Sequence, residues 1–487
     1  MSLATACGVT VLRSFCISII GVFLSGHVSR IVEAGYSRRS LFLFTLILVP
    51  LLMPELIVAY AWQLISLKLV HYPFLIELLY SSLVLLKVVP VGIICFCLSP
   101  PSAISPEADF IRKSVRSPVA QITKPRSQWN FFLWKTVIRT FPIGALLFLL
   151  SFQEFEMASL LYQDSWTVWI FDAQAGGVPV NQTLSFISGP LLIELILITG
   201  VILLLSRLKN QPALNQPFQR PNISRVSTIL SWGYVLAAFF LIGFVPFIFI
   251  GWGGVHALGS LLQNQLQLRG TLQESAWGLV YGLTSGIAAW GLANIFFATK
   301  QSSQIKILGC LCCLPGLCGA LTLALLIASL LLTNYGYWLY DTPLAIILAM
   351  VLFLFPRAVF LKLIFLPQTK NDALYLARLL SRSKHKTQAL KGVQLLWSVN
   401  GKMQYWAIAI LAFWAYWNVT LSSILAPNKA QPSTVRLYNL MHYGQNSMLS
   451  GITFLSLCIP VCVSLLLFPL VKKLWILSSN RSGLTET

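Results

Sequence analysis

Apolar residues run along this chain in long unbroken blocks, clearest at 41–67 and 307–332. At ~1.5 Å per residue, about 20 apolar residues form a helix that crosses the ~30 Å hydrocarbon core of a bilayer. Backbone amides in lipid need partners within their own segment, so these blocks predict helices. No strand-like alternation of period two competes with them. Reading each block against its polar flanks predicts about eleven spans. They fall at 8–29, 41–66, 76–98, 137–162, 185–206, 228–252, 273–298, 305–333, 342–366, 403–426 and 448–471. The predicted fold is all-α, a polytopic transmembrane helical bundle.

The order of the blocks recurs. Pro50 in LVPLLMP precedes Pro90 in LLKVVPVG by 40 positions, and Pro315 in CCLPGL precedes Pro356 in FLFPRAV by 41. After each second proline comes a long basic gap, at 99–136 and 367–402, and then an aromatic-rich block. These blocks read FLLSFQEFEMASLL (148–161) and LAFWAYWNVTLSSIL (411–425). Each leads to a matching stretch, TVWIFD at 167–172 and TVRLYN at 434–439. This order predicts two parallel pseudo-symmetric repeats, 1–206 and 270–487, of five spans each. A linker at 207–269 carries one extra span. Parallel repeats place a pseudo-two-fold axis along the membrane normal, with a path between the halves.

Composition and charge add an orientation. The chain is 57% hydrophobic and 10% charged, with a mean hydropathy of +0.77. A soluble domain cannot hide that much apolar surface. The net charge of +20 is not the footprint of a nucleic-acid binder, because no solvated basic domain carries it. Lys and Arg cluster instead in alternate gaps, as in Arg112, Lys113 and Arg116 or Arg378, Arg382 and Lys391. The gaps between those clusters hold little beyond Arg269, Lys429 and Arg436. The positive-inside pattern makes the basic side cytoplasmic, with the N-terminus outside and the C-terminus inside. The first block lacks the ordered parts of a signal peptide and reads as a retained span. The ten cysteines lack metal-ligand spacing and read as small apolar helix residues. There is no nucleophile elbow, phosphate loop or metal-ligand cluster, so neither catalysis nor a cofactor is expected.

Ionisable residues inside the spans are the better pointers, since each costs roughly 2.5–3.5 kcal/mol to insert. Glu154 and Glu156 lie two apart and face about 200° from each other on a helix, so at most one points to a lumen. Phe152, Trp414 and Tyr416, in the two aromatic-rich blocks, join Glu154 as candidate residues of a substrate path. Glu55, directly after Pro54, and Lys87, ahead of Pro90 in the next span, suggest a pair joining two spans. Asp172 and His442, in the outer loops 163–184 and 427–447, are the polar residues there most able to contact a partner.

The proline-bearing span LILVPLLMPELIVAYAW, the gap opening with Glu107-Ala108, and FQEFEMASLL resemble the binding-protein-dependent ABC permeases of the type I importer class. The closest likeness is to the fused permeases of iron(III) and thiamine import systems, over about 1–206 and 270–472. That family carries a motif of the form EAA-x3-G in each long cytoplasmic gap, and its short helices dock on an ATPase subunit. Here Asp109 stands in place of the second alanine and Lys113 in place of the glycine. The resemblance implies ATPase contacts through Glu107, Ala108, Phe110 and Ile111 in loop 100–135. The second copy offers Asp372, Ala373, Leu376 and Leu380 in loop 367–402. It also implies a path-facing Glu154, a separate ATP-binding subunit dimer and an extracytoplasmic solute-binding protein. The setting is a bacterial inner membrane, and the suggested solute is ferric iron. Other readings of the same residues are an ion-gradient-driven secondary transporter, a membrane-embedded glycosyl transferase, and a diverged scaffold that transports nothing.

Overall fold

A computed structural model describes residues 2–34, 38–99, 126–207, 225–248, 259–260, 262–297, 303–333, 336–365, 372–383 and 385–482. The described residues are mostly helical, with no strand among them. Eight helices are long and apolar enough to cross a membrane, and three bent helix pairs bring the number to 11 if each counts as one span. Each predicted block falls on one of these. The chain is a helical membrane-embedded protein.

In chain order the first helices are α1 (Leu3–Ala34), α2 (Arg38–Leu52), α3 (Glu55–Lys68) and α4 (Pro73–Leu98). Then come α5 (Arg126–Phe152), α6 (Glu156–Leu160), α7 (Trp166–Ala175), α8 (Val180–Arg207) and α9 (Arg225–Ala238). A π-helical turn, Phe239–Phe244, continues α9. The remainder comprises α10 (Gln265–Phe296), α11 (Ser303–Leu317), α12 (Ala320–Leu331), α13 (Pro343–Phe365), α14 (Asp372–Ser381) and α15 (Lys386–Leu396). The chain closes with α16 (Lys402–Tyr416), α17 (Val419–Leu425), α18 (Ser433–His442) and α19 (Asn446–Ser482).

Helix α1 packs along α4, α5 and α9, and α10 packs along α13 and α16. Contacts of α5 with α13, and of α8 with α11 and α12, join these two sets. The span at 228–252 thus seats α9 against α1, α2 and α4, on the earlier helices of the chain. Small residues allow the closest approaches. A β-carbon on Gly282 would sit 2.6 Å from the Ala412 carbonyl oxygen, and one on Gly286 would sit 2.9 Å from the Ala412 amide. Lipid tails are as apolar as leucine, so helices in a membrane associate through such backbone contact rather than through apolar burial. Outward faces stay apolar: Leu465, Leu466 and Leu470 of α19 are exposed.

The spans break where the local chemistry dictates. Pro54 has no amide hydrogen and pushes Met53 out of the helical region, so α2 and α3 meet at 78°. Gly319, at φ +81°, turns α11 into α12 at 96°. Asn418 separates α16 from α17 at 57° and caps α17, its side-chain oxygen accepting from the Leu421 amide at 2.9 Å. Between α5 and α6, Glu154 accepts from the Met157 and Ala158 amides at 2.5 and 3.0 Å. The stretches expected as outer loops are largely helical, since TVWIFD lies on α7 and TVRLYN on α18, each ten residues long.

Candidate functional site

All four breaks open onto one cavity. Its free space, mouth included, is ≈ 860 Å³. Pro54 and Glu55 reach it from the α2–α3 break, Gln153 through Glu156 from the α5–α6 break, Ala320 from the start of α12, and Asn418 from the α16–α17 break. Lys87 of α4 and Arg357 of α13 complete a polar wall between the two helix sets.

Each broken helix leaves backbone groups unpaired, and in an apolar setting those groups recruit side chains. The Lys87 ammonium donates to the Leu51 and Met53 carbonyls at the end of α2. The Trp166 indole N–H donates to the Phe152 carbonyl at 2.8 Å, closing the end of α5. Glu156 accepts from the Val419 amide at 3.2 Å and so caps α17 from across the cavity. These charges hold the breaks open as structure.

A second chain of contacts crosses between the helix sets. Glu194 of α8 accepts from the Gln153 side-chain amide at 2.9 Å, and the Gln153 oxygen accepts from Arg357 at 3.1 Å. The same Gln153 amide reaches the Gly316 carbonyl at 3.3 Å. Arg357 lies 3.8 Å over the Phe353 ring and 5.9 Å from that of Trp414. A hydrogen bond to a charged group is worth ~1.5–3 kcal/mol, and a desolvated cation–π contact adds about 2. Together they offset the roughly 2.5–3.5 kcal/mol that an arginine costs in a membrane span. Farther along, Arg13 of α1 pairs with Glu77 of α4 at 2.6 Å and stacks over Tyr80, whose hydroxyl donates to Glu154 at 2.7 Å.

The expected path residues separate. Glu154 and Trp414 line the cavity, although the Glu154 carboxylate is occupied by Tyr80 and the α6 cap. Glu156 lines it too, against the expectation of one, because the break at 153–155 undoes the helical spacing. Phe152 is fully buried between Phe148 and Trp166, away from the cavity wall. Tyr416 turns the other way, hydrogen bonding Ser433 and the Ser456 carbonyl and lining an apolar groove beside α19. Helical geometry explains the split of Trp414 and Tyr416, because two residues apart on α16 they face about 200° from each other. Glu55 and Lys87 share the cavity, but Lys87 serves the α2 carbonyls rather than a Glu55 ion pair.

Glu107, Ala108, Phe110 and Ile111 lie outside the described residues. Asp372 and Ala373 open α14, on which Leu376 is exposed and Leu380 half-buried. Asp172 and His442 are exposed on α7 and α18, His442 bonding Tyr438 at 3.0 Å, so both stand on helices rather than loops. Gln153, Glu194 and Arg357 escaped the sequence reading. Glu194 and Arg357 carried a signal, each being an ionisable residue within a span. Gln153 carried none, because it is neutral and only its two neighbours make it informative. Among the described residues, no three His, Cys, Asp or Glu side chains are grouped to hold a metal ion. Comparison with protein-family models, with curated proteins and with solved structures finds no match to the chain.

Proposed function

We propose that this chain is the permease subunit of an ATP-driven importer, passing a solute across a bacterial inner membrane by alternating access. The observation that carries the reading is the convergence of four helix breaks, two from each helix set, on one polar cavity. Transporters build midplane sites from interrupted helices at the interface of repeats, where freed backbone ends and buried charge meet the solute. The two sets also read as parallel copies. Helices α1 and α10 each span 32 residues. Each is followed by a bent pair, a straight span, a second break, a ten-residue helix and a long final helix. Glu154 and Asn418 perform the same task in the two copies, each accepting from the amide three residues on. Helix α9 then belongs between the copies in sequence.

Coupling runs through α14 and α15 in the second copy and through loop 100–135 in the first. An ATPase dimer presses on both from the basic, cytoplasmic side, while α7 and α18 face a solute-binding protein through Asp172 and His442. Ferric iron is the solute suggested by the family resemblance alone. The buried charges favour a second reading, a secondary transporter driven by an ion gradient. Capture of an ATPase separates the two. The tagged chain, purified in mild detergent, is expected to bring down an ATPase subunit. Changing the exposed Leu376 and Leu379 of α14 to Asp is expected to abolish that capture. Absence of any ATPase, under conditions that preserve a known importer, would refute the ATP-driven mechanism and put the gradient-driven reading first.

A further inference from the structure

The groups that the cavity leaves unpaired are of two opposite kinds. On the acceptor side, Glu55 receives no hydrogen bond from the described residues. Glu156 engages one oxygen with the Val419 amide and keeps the other free. On the donor side, the Trp417 Nε1–H and the Arg357 Nε–H have no partner. Both side chains line the cavity and are only 7% exposed. Buried donors go unpaired rarely, and both of these belong to side chains of the cavity wall. The remaining charges are committed, since Lys87 holds the α2 carbonyls and Glu154 caps α6. Phe353, Phe413 and Trp414 make up the apolar part of the wall.

We infer that this cavity binds a small zwitterion, with an ammonium group and a carboxylate on one short carbon skeleton. Its carboxylate accepts from Arg357 Nε and Trp417 Nε1, and its ammonium faces Glu55 and Glu156 beside the aromatic wall. An inorganic cation leaves both N–H donors unmet. A simple amine leaves the same donors empty, and a simple carboxylate brings no donor to Glu55 or to the open oxygen of Glu156. The inference rests on reading the cavity as the solute path, and binding itself needs no ATPase.

The test is isothermal titration calorimetry on the purified full chain in detergent. The probes are L-alanine, L-leucine and glycine betaine, set against ethylamine, choline and propionate. At least one zwitterion is expected to bind about tenfold or more tightly than every single-charge probe. Glu55→Gln and Trp417→Phe, which keep shape and ring, are each expected to weaken that binding about tenfold. The probe series on the native chain stands whether or not a variant folds. No zwitterion binding at millimolar concentrations, or ethylamine binding as tightly as L-alanine, overturns the inference. Capture of an ATPase without zwitterion binding defeats this inference alone, whereas zwitterion binding without an ATPase defeats only the ATP-driven reading.

Discussion

At the scale of single residues, the most informative side chain is a neutral one. Gln153 sits between Glu194 and Arg357 and uses the two ends of its amide to give each charge one hydrogen bond. A buried charge stripped of its partner costs far more than the partner contributed, because its desolvation is then uncompensated. Gln153→Leu is therefore expected to destabilise the protein by about 3 kcal/mol or more. Replacing Gln153, Glu194 and Arg357 together by Leu, Met and Met should recover most of that loss. Thermal denaturation in detergent, followed by the fraction remaining monodisperse, checks both. A single variant as stable as the native protein would mean that the three residues do not act as one network. The sequence exposed only part of this network. An arginine inside FLFPRAV and a glutamate inside PLLIELIL stand out against their apolar surroundings, but nothing local says that they share a partner.

At the scale of elements, breaks and small-residue seams share the work. Pro54 and Gly319 are visible break signals, because one lacks an amide hydrogen and the other adopts a backbone conformation that side chains disfavour. The interruption at Gln153–Phe155 carries no such mark, and its cause is tertiary, with Trp166, Tyr80 and the α6 amides drawing the backbone open. The α10–α16 seam depends on bare backbone. Gly282→Leu is expected to force these helices apart and cost about 1–3 kcal/mol through overpacking. Gly291→Leu, where an added β-carbon meets nothing within 4 Å, is expected to be neutral. Melting of the two variants in parallel decides it, and equal stability would show that α10 and α16 do not touch as described.

At the scale of the whole molecule, charge placement orients what the helices build. Basic residues on one side resist translocation, so the side bearing His385 and its basic neighbours is expected to be cytoplasmic. Asn428, whose amide donates to Asp341 at 3.0 Å, then faces outward. A cysteine placed at Asn428 is expected to react with a membrane-impermeant maleimide in intact cells. One at His385 should react only after permeabilisation. A background without the ten native cysteines keeps the readout clean. Reversed labelling would invert the topology and move the proposed ATPase contacts to the wrong face.

The sequence by itself determined that this is a bundle of membrane helices, where its spans lie and which ends carry positive charge. Those properties follow from the cost of placing polar groups in hydrocarbon, which each segment meets on its own. The tertiary structure alone decided which intramembrane charges meet. Glu154 became a helix cap, Lys87 a cover for broken carbonyls and Arg357 the partner of Gln153. Tyr416 was likewise turned away from the cavity that Trp414 lines. Such pairings join residues far apart in the chain, as Gln153 and Arg357 are. They depend on where a helix breaks and what packs against the break, so no window of sequence contains them.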